Sequence, residues 1–175
     1  MSSDTSLTVR PFAPGDEAGV LAVVLDAFGG PAHDGAEEVD IVRRTWACPN
    51  PSQRVELVAD HGGKVVGHAL AARGRLDGVD VPIGGVAPVC AAPAHQGRGV
   101  GTALMQALIP VAATRDWHLL VVLGDPAYYG RFGFGPASGF GLVYAPSGPG
   151  DPHFQARPLG GHAPALSGVF SYCWE

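Results

Sequence analysis

The stretch HQGRGVGTAL, residues 95–104, places glycines at three alternate positions, Gly97, Gly99 and Gly101. An apolar-periodic run follows and predicts a helix over about residues 99–114. The first amides of a helix lack intrahelical acceptors and carry the positive end of its dipole, so they bind anions where no side chain obstructs them. The spacing therefore predicts a phosphate-binding loop, with Arg98 adding charge at its rim. A plain strand-to-helix turn is the alternative.

Two better-known phosphate-binding loops do not fit this stretch. A Walker loop needs Gly-Lys-Ser or Gly-Lys-Thr, and the only lysine of the chain is Lys64. The dinucleotide-binding fingerprint needs a third glycine, but counting from Gly97 places Thr102 at that position. The preceding segment also does not resemble the opening strand of a βαβ unit. Neither of these two patterns therefore accounts for the glycines of this stretch.

Length and composition indicate one globular domain spanning residues 1–175. The chain is 46% apolar and 15% charged, as expected for a globular protein. No apolar run approaches the roughly 18 residues of a membrane span. The amino-terminal MSSDTSLTVR lacks the basic start and apolar centre of a signal peptide. We expect a cytoplasmic enzyme or binding protein with no membrane partner.

Charge and cysteine usage argue against two further classes of protein, nucleic-acid-binding proteins and proteins with a cysteine-based metal site. The net charge is -5 and the 11 basic residues are scattered, so the footprint of a nucleic-acid-binding protein is missing. The three cysteines, Cys48, Cys90 and Cys173, form no close pair in the sequence and have no histidine at metal-ligand spacing. We expect reduced, mostly buried thiols and no metal site.

Hydrophobic periodicity and turn residues predict the order of the secondary-structure elements. The elements are a strand at 7–10, helices at 14–28 and 36–47, a hairpin of 54–60 and 64–72, a strand at 81–92, the helix after the glycine loop, a strand at 118–125, a short helix at 126–132, and strands near 141–144 and 169–174. Pro88 predicts an irregularity in the 81–92 strand, and Pro110 predicts a kink or an early end of the long helix. Residues 145–165 are expected to be loop. The order predicts a mixed α/β fold whose front half is largely antiparallel.

The segment Gln96-Gly97-Arg98-Gly99-Val100-Gly101 resembles the (Arg/Gln)-x-x-Gly-x-(Gly/Ala) pyrophosphate loop of the GNAT superfamily of acetyl-CoA-dependent N-acetyltransferases. Residues 88–93 resemble the bulged strand that precedes this loop, and GDPAYYGRFGFGPAS resembles the family's second cofactor segment, with Tyr129 and Gly133-Phe134 in its Tyr-x-x-x-Gly-Phe spacing. Together with DPHFQARPL, this segment is similar to the YhbS-like branch. Ala94 departs from the pattern, because an acidic residue is common there.

The resemblance implies a GNAT-like fold, with a central, mostly antiparallel twisted sheet flanked by helices on both faces. It also implies acetyl-CoA as cofactor, with the backbone of residues 89–91 pairing with the pantetheine arm and the amides of 97–102 holding the pyrophosphate. The residues expected to bind the cofactor are Val89, Cys90, Ala91, Gln96, Gly97, Arg98, Gly99, Val100, Gly101, Thr102, Asp125 and Tyr128.

Acetyl transfer requires an oxyanion donor, an acid for the departing thiolate and a base for the amine. A backbone amide at the irregularity near Val89 and Cys90 is the expected oxyanion donor. The family spacing implies Tyr129 as the catalytic acid, with half-buried packing of Tyr128 and Tyr129 as the alternative. The base stays open among the carboxylates Glu37, Glu38, Glu56 and Asp60 and the imidazoles His33 and His95.

Two function classes follow from these residues. The first is an acyltransferase that moves an acetyl group to an amine acceptor, either a small molecule or a peptide, by direct attack. A ping-pong route through the Cys90 thiolate is less favoured, because an apolar strand raises the pKa of a thiol. The second class is a CoA- or acyl-CoA-binding module without turnover. Acceptor identity is expected to reside in the loop after Phe28 and in residues 145–165, and a homodimer is left open.

Overall fold

A computed structural model describes residues 6–50, 53–160 and 165–175 of the chain. The parts of the expected domain at 1–5 and 51–52, and residues 161–164 of the expected loop, lie outside these ranges. The helices are α1 Glu17–Phe28, α2 Ala36–Ala47, α3 Val100–Ala113 and α4 Pro126–Tyr129. The strands are β1 Leu7–Pro11, β2 Gly29–Gly30, β3 His33–Asp34, β4 Arg54–His61, β5 Lys64–Leu76, β6 Val79–Ala91, β7 Leu119–Leu123, β8 Gly135–Pro136, β9 Leu142–Tyr144, β10 Phe154–Pro158 and β11 Gly168–Ser171.

The main sheet follows the order β1-β4-β5-β6-β7-β10-β8, and β11 adds to the edge of β5. Along this path only β6 and β7 are parallel, and every other neighbouring pair is antiparallel. A parallel pair needs a crossover, which α3 supplies between β6 and β7. The predicted mixed, mostly antiparallel sheet is confirmed.

Two tight turns fix the register of the three central strands. Gly62 and Gly63 join β4 to β5 with φ values of 61° and 82°, and Asp77 and Gly78 join β5 to β6 with φ values of 50° and 79°. Two consecutive positive φ values are the requirement of a type I′ hairpin, and glycine meets it at the lowest steric cost. The predicted hairpin of 54–60 and 64–72 is therefore confirmed.

Successive side chains along the strands pack into two separate cores, one on each face of the sheet. Leu57 and Ala69 pack with the buried face of α3, whereas Val58 and Leu70 pack with α1 and α2. Because successive strand residues point to opposite faces, one sheet serves both layers. Helices therefore cover both faces of the sheet, as the family resemblance implies. Among the described residues, no helix is long and apolar enough to cross a membrane.

The long helix α3 runs through Pro110 to Ala113, so it does not end early at the proline, and the kink that was the other predicted outcome stays a prediction. Proline removes one helical hydrogen bond, and the acceptor that loses its donor is the carbonyl of Gln106. Both Pro110 and Gln106 are exposed, so water can satisfy that carbonyl. The buried residues Leu104, Leu108 and Ala112 lie on the opposite side and keep the helix on the sheet.

The strand β10 was missed, because residues 154–158 were expected to be loop. Phe154 and Ala156 are buried in the core beside β7, while Gln155 is buried and donates its amide to the Gly124 carbonyl at 3.0 Å. Phe154 and Ala156 alternate with Gln155 and Arg157, but the run is only five residues long, with Pro152 ahead of it and Pro158 at its end. So short an alternation between prolines does not by itself predict a strand, and the pairing with β7 completes it.

Two of the cysteines meet in the fold despite their separation in the sequence. The Cys48 and Cys173 sulfur atoms lie 2.7 Å apart as free, half-buried thiols, whereas Cys90 is buried. Cys48 follows the end of α2, and Cys173 follows β11. Sequence spacing cannot reveal such a pair, because the contact spans 125 positions.

Close packing at β6 yields a stability prediction. A Cβ added to Gly84 would overlap with the Trp117 ring, which is itself buried in the core. Overpacking of this kind costs about 1–3 kcal/mol, so we expect Gly84→Ala to lower the free energy of unfolding by about that amount in urea denaturation. Gly139→Ala is the control, because a Cβ there meets nothing within 4 Å. Equal stability of the two variants would contradict this packing.

Candidate active site

The site begins where β6 separates from β7. Parallel pairing runs from Ile83 opposite Leu119 to Val86 opposite Val122, and no strand in the described ranges continues along that edge. On the other side, Ala69 pairs with Val89 but Ala71 pairs with Val86, so β6 carries an extra residue. This bulge, at residues 87–88, confirms the irregularity predicted near Pro88. It leaves residues 89–91 with one edge open, which is what an extended ligand needs to add as a strand.

The amino terminus of α3 lies next to this open edge. Gly99 caps the helix with φ 83° and makes no side-chain cap hydrogen bond. The Ala103 amide makes an early helical bond, to the Gly99 carbonyl at 2.9 Å, so the amides of residues 100–102 precede the helical ladder. A Cβ on Gly97 or Gly99 would meet nothing within 4 Å, which leaves clear space in front of the loop. The loop can therefore receive an anion.

A cavity of about 440 Å³ joins these two features. Ten of the twelve predicted cofactor residues line it: Val89, Cys90, Ala91, Gln96, Gly97, Gly99, Val100, Gly101, Thr102 and Tyr128. A Cβ at Gly101 would lie 2.5 Å from the Tyr128 hydroxyl, so this phenol lies directly over the glycine loop. We call this space the first cavity.

The other two predicted cofactor residues do not line the first cavity. Arg98 is exposed on the loop and lies outside the cavity lining. Asp125 accepts a hydrogen bond from the Ala127 amide at 2.9 Å, so its carboxylate caps α4. The cation that does line the cavity is Arg131, whose guanidinium carbon lies 4.6 Å from the centre of the Tyr128 ring. Sequence reasoning missed Arg131, because its place beside Tyr128 depends on the turn after α4.

Tyr129 faces a different space from its neighbour Tyr128. It lines a second cavity of about 610 Å³, which shares Phe28 and Val89 with the first. The Tyr129 ring packs against Gly124 and lies 4.9 Å from Tyr128 in an edge-on arrangement. Burial is the main cause that raises the pKa of Tyr129, so its phenol keeps its proton at neutral pH. The side chain is therefore a proton donor placed where the two cavities meet.

The walls of the second cavity come from five parts of the chain. Besides Tyr129, its lining residues are Phe28, His33, Glu37, Glu38, Asp40, Ile41, Arg44, Val86, Ala87, Pro88, Val89, Val122, Leu123, Gly124, Tyr144, Tyr172, Trp174 and Glu175. The segment after Phe28 contributes, as expected. The described part of residues 145–165 does not, and residues 172–175 take its place. No sequence signal indicated this, because β11 reaches the site by pairing with β5 and β9.

Comparison with known proteins shows the family to which the chain belongs. Residues 8–137 match the model of the acetyltransferase (GNAT) domain. The chain belongs to the GNAT family. This membership confirms the predicted fold and the predicted enzyme class, an acetyl-CoA-dependent N-acetyltransferase.

Relatives and solved structures agree with this membership. The uncharacterized N-acetyltransferase YjhQ of Escherichia coli K12 is 32% identical over 126 residues, which cover 71% of this chain and 67% of YjhQ. YhbS of the same strain is 30% identical over 45% of this chain and 47% of its own length. The crystal structure of E. coli YhbS with CoA has a TM-score of 0.83 at 24% identity, covering 98% of this chain and 92% of YhbS. A Brucella melitensis GNAT acetyltransferase with acetyl-CoA has a TM-score of 0.77 at 27% identity, covering 96% of each chain.

The geometry of this GNAT domain narrows the choice of base. Glu56 is buried and accepts hydrogen bonds from Trp46 at 2.8 Å and from His68 at 2.9 Å, so it belongs to a structural network. Asp60 pairs with Arg10 at 2.9 Å. Neither carboxylate lines either cavity. Of the candidates, Glu37, Glu38 and His33 line the second cavity and His95 lines the first.

Cys90 lies in the first cavity but is a poor nucleophile. Burial raises the pKa of its thiol to about 12, so the thiolate is scarce at neutral pH. Ping-pong transfer needs that thiolate. The GNAT domain therefore favours direct attack on the thioester. The described residues bring together no group of three or more His, Cys, Asp or Glu side chains that could hold a metal ion.

The glycine loop gives a binding prediction with a matched control. Gly99 and Gly78 have φ values of 83° and 79°, and a Cβ on either meets nothing within 4 Å. Gly99→Val and Gly78→Val therefore carry similar backbone strain, of about 1–2 kcal/mol. Only the Gly99 variant places a side chain in front of the α3 amides. We expect CoA at 100 times its Kd to stabilise the parent and Gly78→Val by about 2.7 kcal/mol, and Gly99→Val far less, in thermal unfolding. Equal stabilisation of both variants would place the anion elsewhere.

Proposed function

We propose that this chain, acting as one domain over residues 1–175, transfers an acetyl group from acetyl-CoA to a small-molecule or peptide amine by direct attack. The observation that carries the proposal is the meeting of two cavities at Phe28 and Val89. The first cavity has the amino terminus of α3, where glycines leave the amides unobstructed, and the open edge of β6. The second cavity has a protonated phenol and carboxylates. Cofactor and acceptor thus approach one point from opposite sides.

In this proposal the first cavity holds the cofactor. The amides that begin α3 bind the pyrophosphate, and Arg131 adds positive charge beside them. Backbone groups of residues 89–91 pair with the pantetheine arm as an added strand would. The Gln96 side-chain amide donates to the Ala91 carbonyl at 3.2 Å, which fixes the loop to the end of β6. Arg98 and Asp125 lie outside the cavity lining. In this proposal they contact the parts of the cofactor that extend beyond the first cavity.

In this proposal the thioester carbonyl of acetyl-CoA lies where the two cavities meet. The neutral acceptor nitrogen attacks that carbon, so a C–N bond forms and the C–S bond breaks. The nitrogen gives its proton to Glu37 or Glu38, directly or through water, and Tyr129 gives its phenol proton to the departing thiolate. A backbone amide near Val89 and Cys90 donates to the oxyanion, because a bulge leaves amides unpaired.

The cellular setting is proposed from charge and composition. A net charge of -5 without a basic cluster supports action apart from nucleic acids, and a location in the cytoplasm fits an acetyl-CoA-dependent enzyme. A homodimer stays a prediction, which light scattering on the purified protein would check.

The catalytic role of Tyr129 gives the sharpest prediction of this mechanism. Tyr129→Phe removes the proton donor and keeps the ring packed on Gly124. We expect kcat to fall by roughly 10² to 10⁴, the usual worth of a positioned general acid, while KM for acetyl-CoA stays near its parent value. Steady-state titration with an amine that the enzyme accepts measures both constants.

Tyr128→Phe is the neighbouring control, and its expected effect has the opposite signature. Because the Tyr128 hydroxyl lies over Gly101 in the first cavity, its loss should change KM for acetyl-CoA more than kcat. A parent-like kcat in Tyr129→Phe would remove this residue from the mechanism. Cofactor binding without turnover on any amine would instead favour a CoA-binding module.

A further inference from the structure

The second cavity has an unbalanced charge. Four carboxylates line it, on Glu37, Glu38, Asp40 and Glu175, against the basic side chains Arg44 and His33. Asp40 lies 3.8 Å from Arg44 and is compensated by it. Both oxygens of Glu175 accept hydrogen bonds, from the Tyr144 hydroxyl at 2.8 Å and from the Tyr172 amide at 2.7 Å. Glu37 and Glu38 have no ion-pair partner among the described residues.

Glu38 carries a second sign of a missing partner. Its Oε2 atom is buried and has no hydrogen-bond partner in the part of the chain that is described. A buried carboxylate oxygen without a donor is costly, so native structures usually supply one. Glu38 lines the cavity, and a ligand with an N–H donor would satisfy this oxygen.

Aromatic rings complete the wall of the same cavity. Tyr172 and Trp174 stack with ring centres 4.2 Å apart, and Tyr144 lies edge-on to Tyr172 at 5.5 Å. Burial, the hydrogen bond to Glu175, and the charges of Glu175 and Glu37 raise the pKa of Tyr144. The negative field therefore reaches the rings. Aromatic faces with nearby carboxylates attract an organic cation.

The reacting nitrogen cannot itself be that cation, because it must lose its proton before it attacks. We propose that the acceptor is a small diamine or a comparable amine with a second, protonated nitrogen, which binds Glu38 beside the rings of Tyr144, Tyr172 and Trp174. This inference rests on the proposed acetyl transfer. Because Glu38 then binds the protonated nitrogen, Glu37, or a water molecule bound to Glu37, takes the proton of the reacting nitrogen. Binding at the distant charge would then position the reacting nitrogen.

The test compares two amines of equal length, cadaverine with two ammonium groups and pentylamine with one. CoA release from acetyl-CoA gives kcat/KM for each. We expect cadaverine to be preferred by about tenfold or more, since a hydrogen bond to a charged group is worth about that factor. In Glu38→Gln the preference should fall to near unity. Glu17→Gln, an exposed change on α1 away from both cavities, should keep it.

The outcomes separate this inference from the function on which it rests. Equal kcat/KM for both amines, or a preference that survives Glu38→Gln, would overturn the diamine assignment while leaving acetyl transfer intact. A proportional loss of kcat for both amines in Glu38→Gln would make Glu38 the base and also overturn the assignment. Thermal stabilisation by CoA with no release from either amine or from a wider amine panel would instead count against the proposed transfer.

A separate observation concerns the Cys48–Cys173 pair. Its sulfur atoms are 2.7 Å apart, and a disulfide bond measures about 2.05 Å. Both side chains are half-buried and line a third cavity of about 240 Å³, which gives a small oxidant access. Cys173 lies between Tyr172 and Trp174 of the second cavity, and Cys48 follows the helix that carries Glu37 and Glu38.

We propose that Cys48 and Cys173 are a site of disulfide formation by a low-molecular-weight disulfide such as oxidised glutathione. The Cys48 thiolate attacks glutathione disulfide and releases one glutathione; the Cys173 sulfur then loses its proton, attacks the mixed disulfide at Cys48 and releases the second. Burial and the neighbouring Cys48 thiol raise the pKa of Cys173 to about 12 in the reduced protein, so this second attack is the slower step and depends on the 2.7 Å contact. Both thiol protons leave with the two glutathione molecules. The new bond ties α2 to residues 172–175 and so fixes two walls of the second cavity to each other.

Oxidised glutathione added to the folded protein tests this site. We expect free thiols, counted in denaturant, to fall from three to one, and peptide mapping to join Cys48 to Cys173. Stabilisation by CoA, which binds in the first cavity, should stay as in the reduced protein, and the unfolding midpoint should rise. Cys90→Ala should still form the bond, whereas Cys48→Ser should not. Retention of all three thiols, or a stable glutathione adduct without the cross-link, would overturn the proposal.

Discussion

The separation of β6 from β7 after Val86 is the constraint on which the site depends. Up to that residue the two strands pair in parallel. The extra residue at positions 87–88 then bends β6, and Pro88 has no amide hydrogen to offer a neighbouring strand. A sheet normally leaves no room between adjacent strands. Here the loss of a few ladder hydrogen bonds creates an opening with unpaired backbone groups on one side, and both cavities border it.

The same opening explains why two adjacent tyrosines can serve different purposes. The turn at Asp125 begins α4, whose side chains stand over the gap. Tyr128 covers the glycine loop in the first cavity, and Tyr129 packs on Gly124 and faces the second. Cofactor and acceptor chemistry are thereby divided between consecutive residues of one short helix. The acceptor side is further shaped by α2 and by the end of the chain after β11, which together give it carboxylates and aromatic rings.

Turn residues and hydrophobic periodicity predicted the turns and helices whose conformation depends on residues close by in the sequence. The hairpin turn at Gly62 and Gly63, the start of α3 near Gly99 and the apolar stripe of α3 depend on few neighbours, so their positions could be predicted. The strand β10 and the meeting of Cys48 with Cys173 depend on distant pairing, which periodicity does not reveal. Of the segments that line the second cavity, only the one after Phe28 was predicted. Residues 172–175 were not, because they reach the cavity through the pairing of β11. Of the two outcomes predicted at Pro110, the early helix end does not occur, because exposure lets water replace the lost hydrogen bond.

Amide hydrogen exchange with and without bound CoA tests the central claim most directly, because it reports on backbone groups one segment at a time. If the open edge of β6 and the start of α3 hold the cofactor, CoA should slow exchange in residues 89–91 and 97–102 and leave the hairpin turn at Gly62 and Gly63 unchanged. Bound CoA that protects neither segment, or that protects only residues outside the first cavity, would contradict the account.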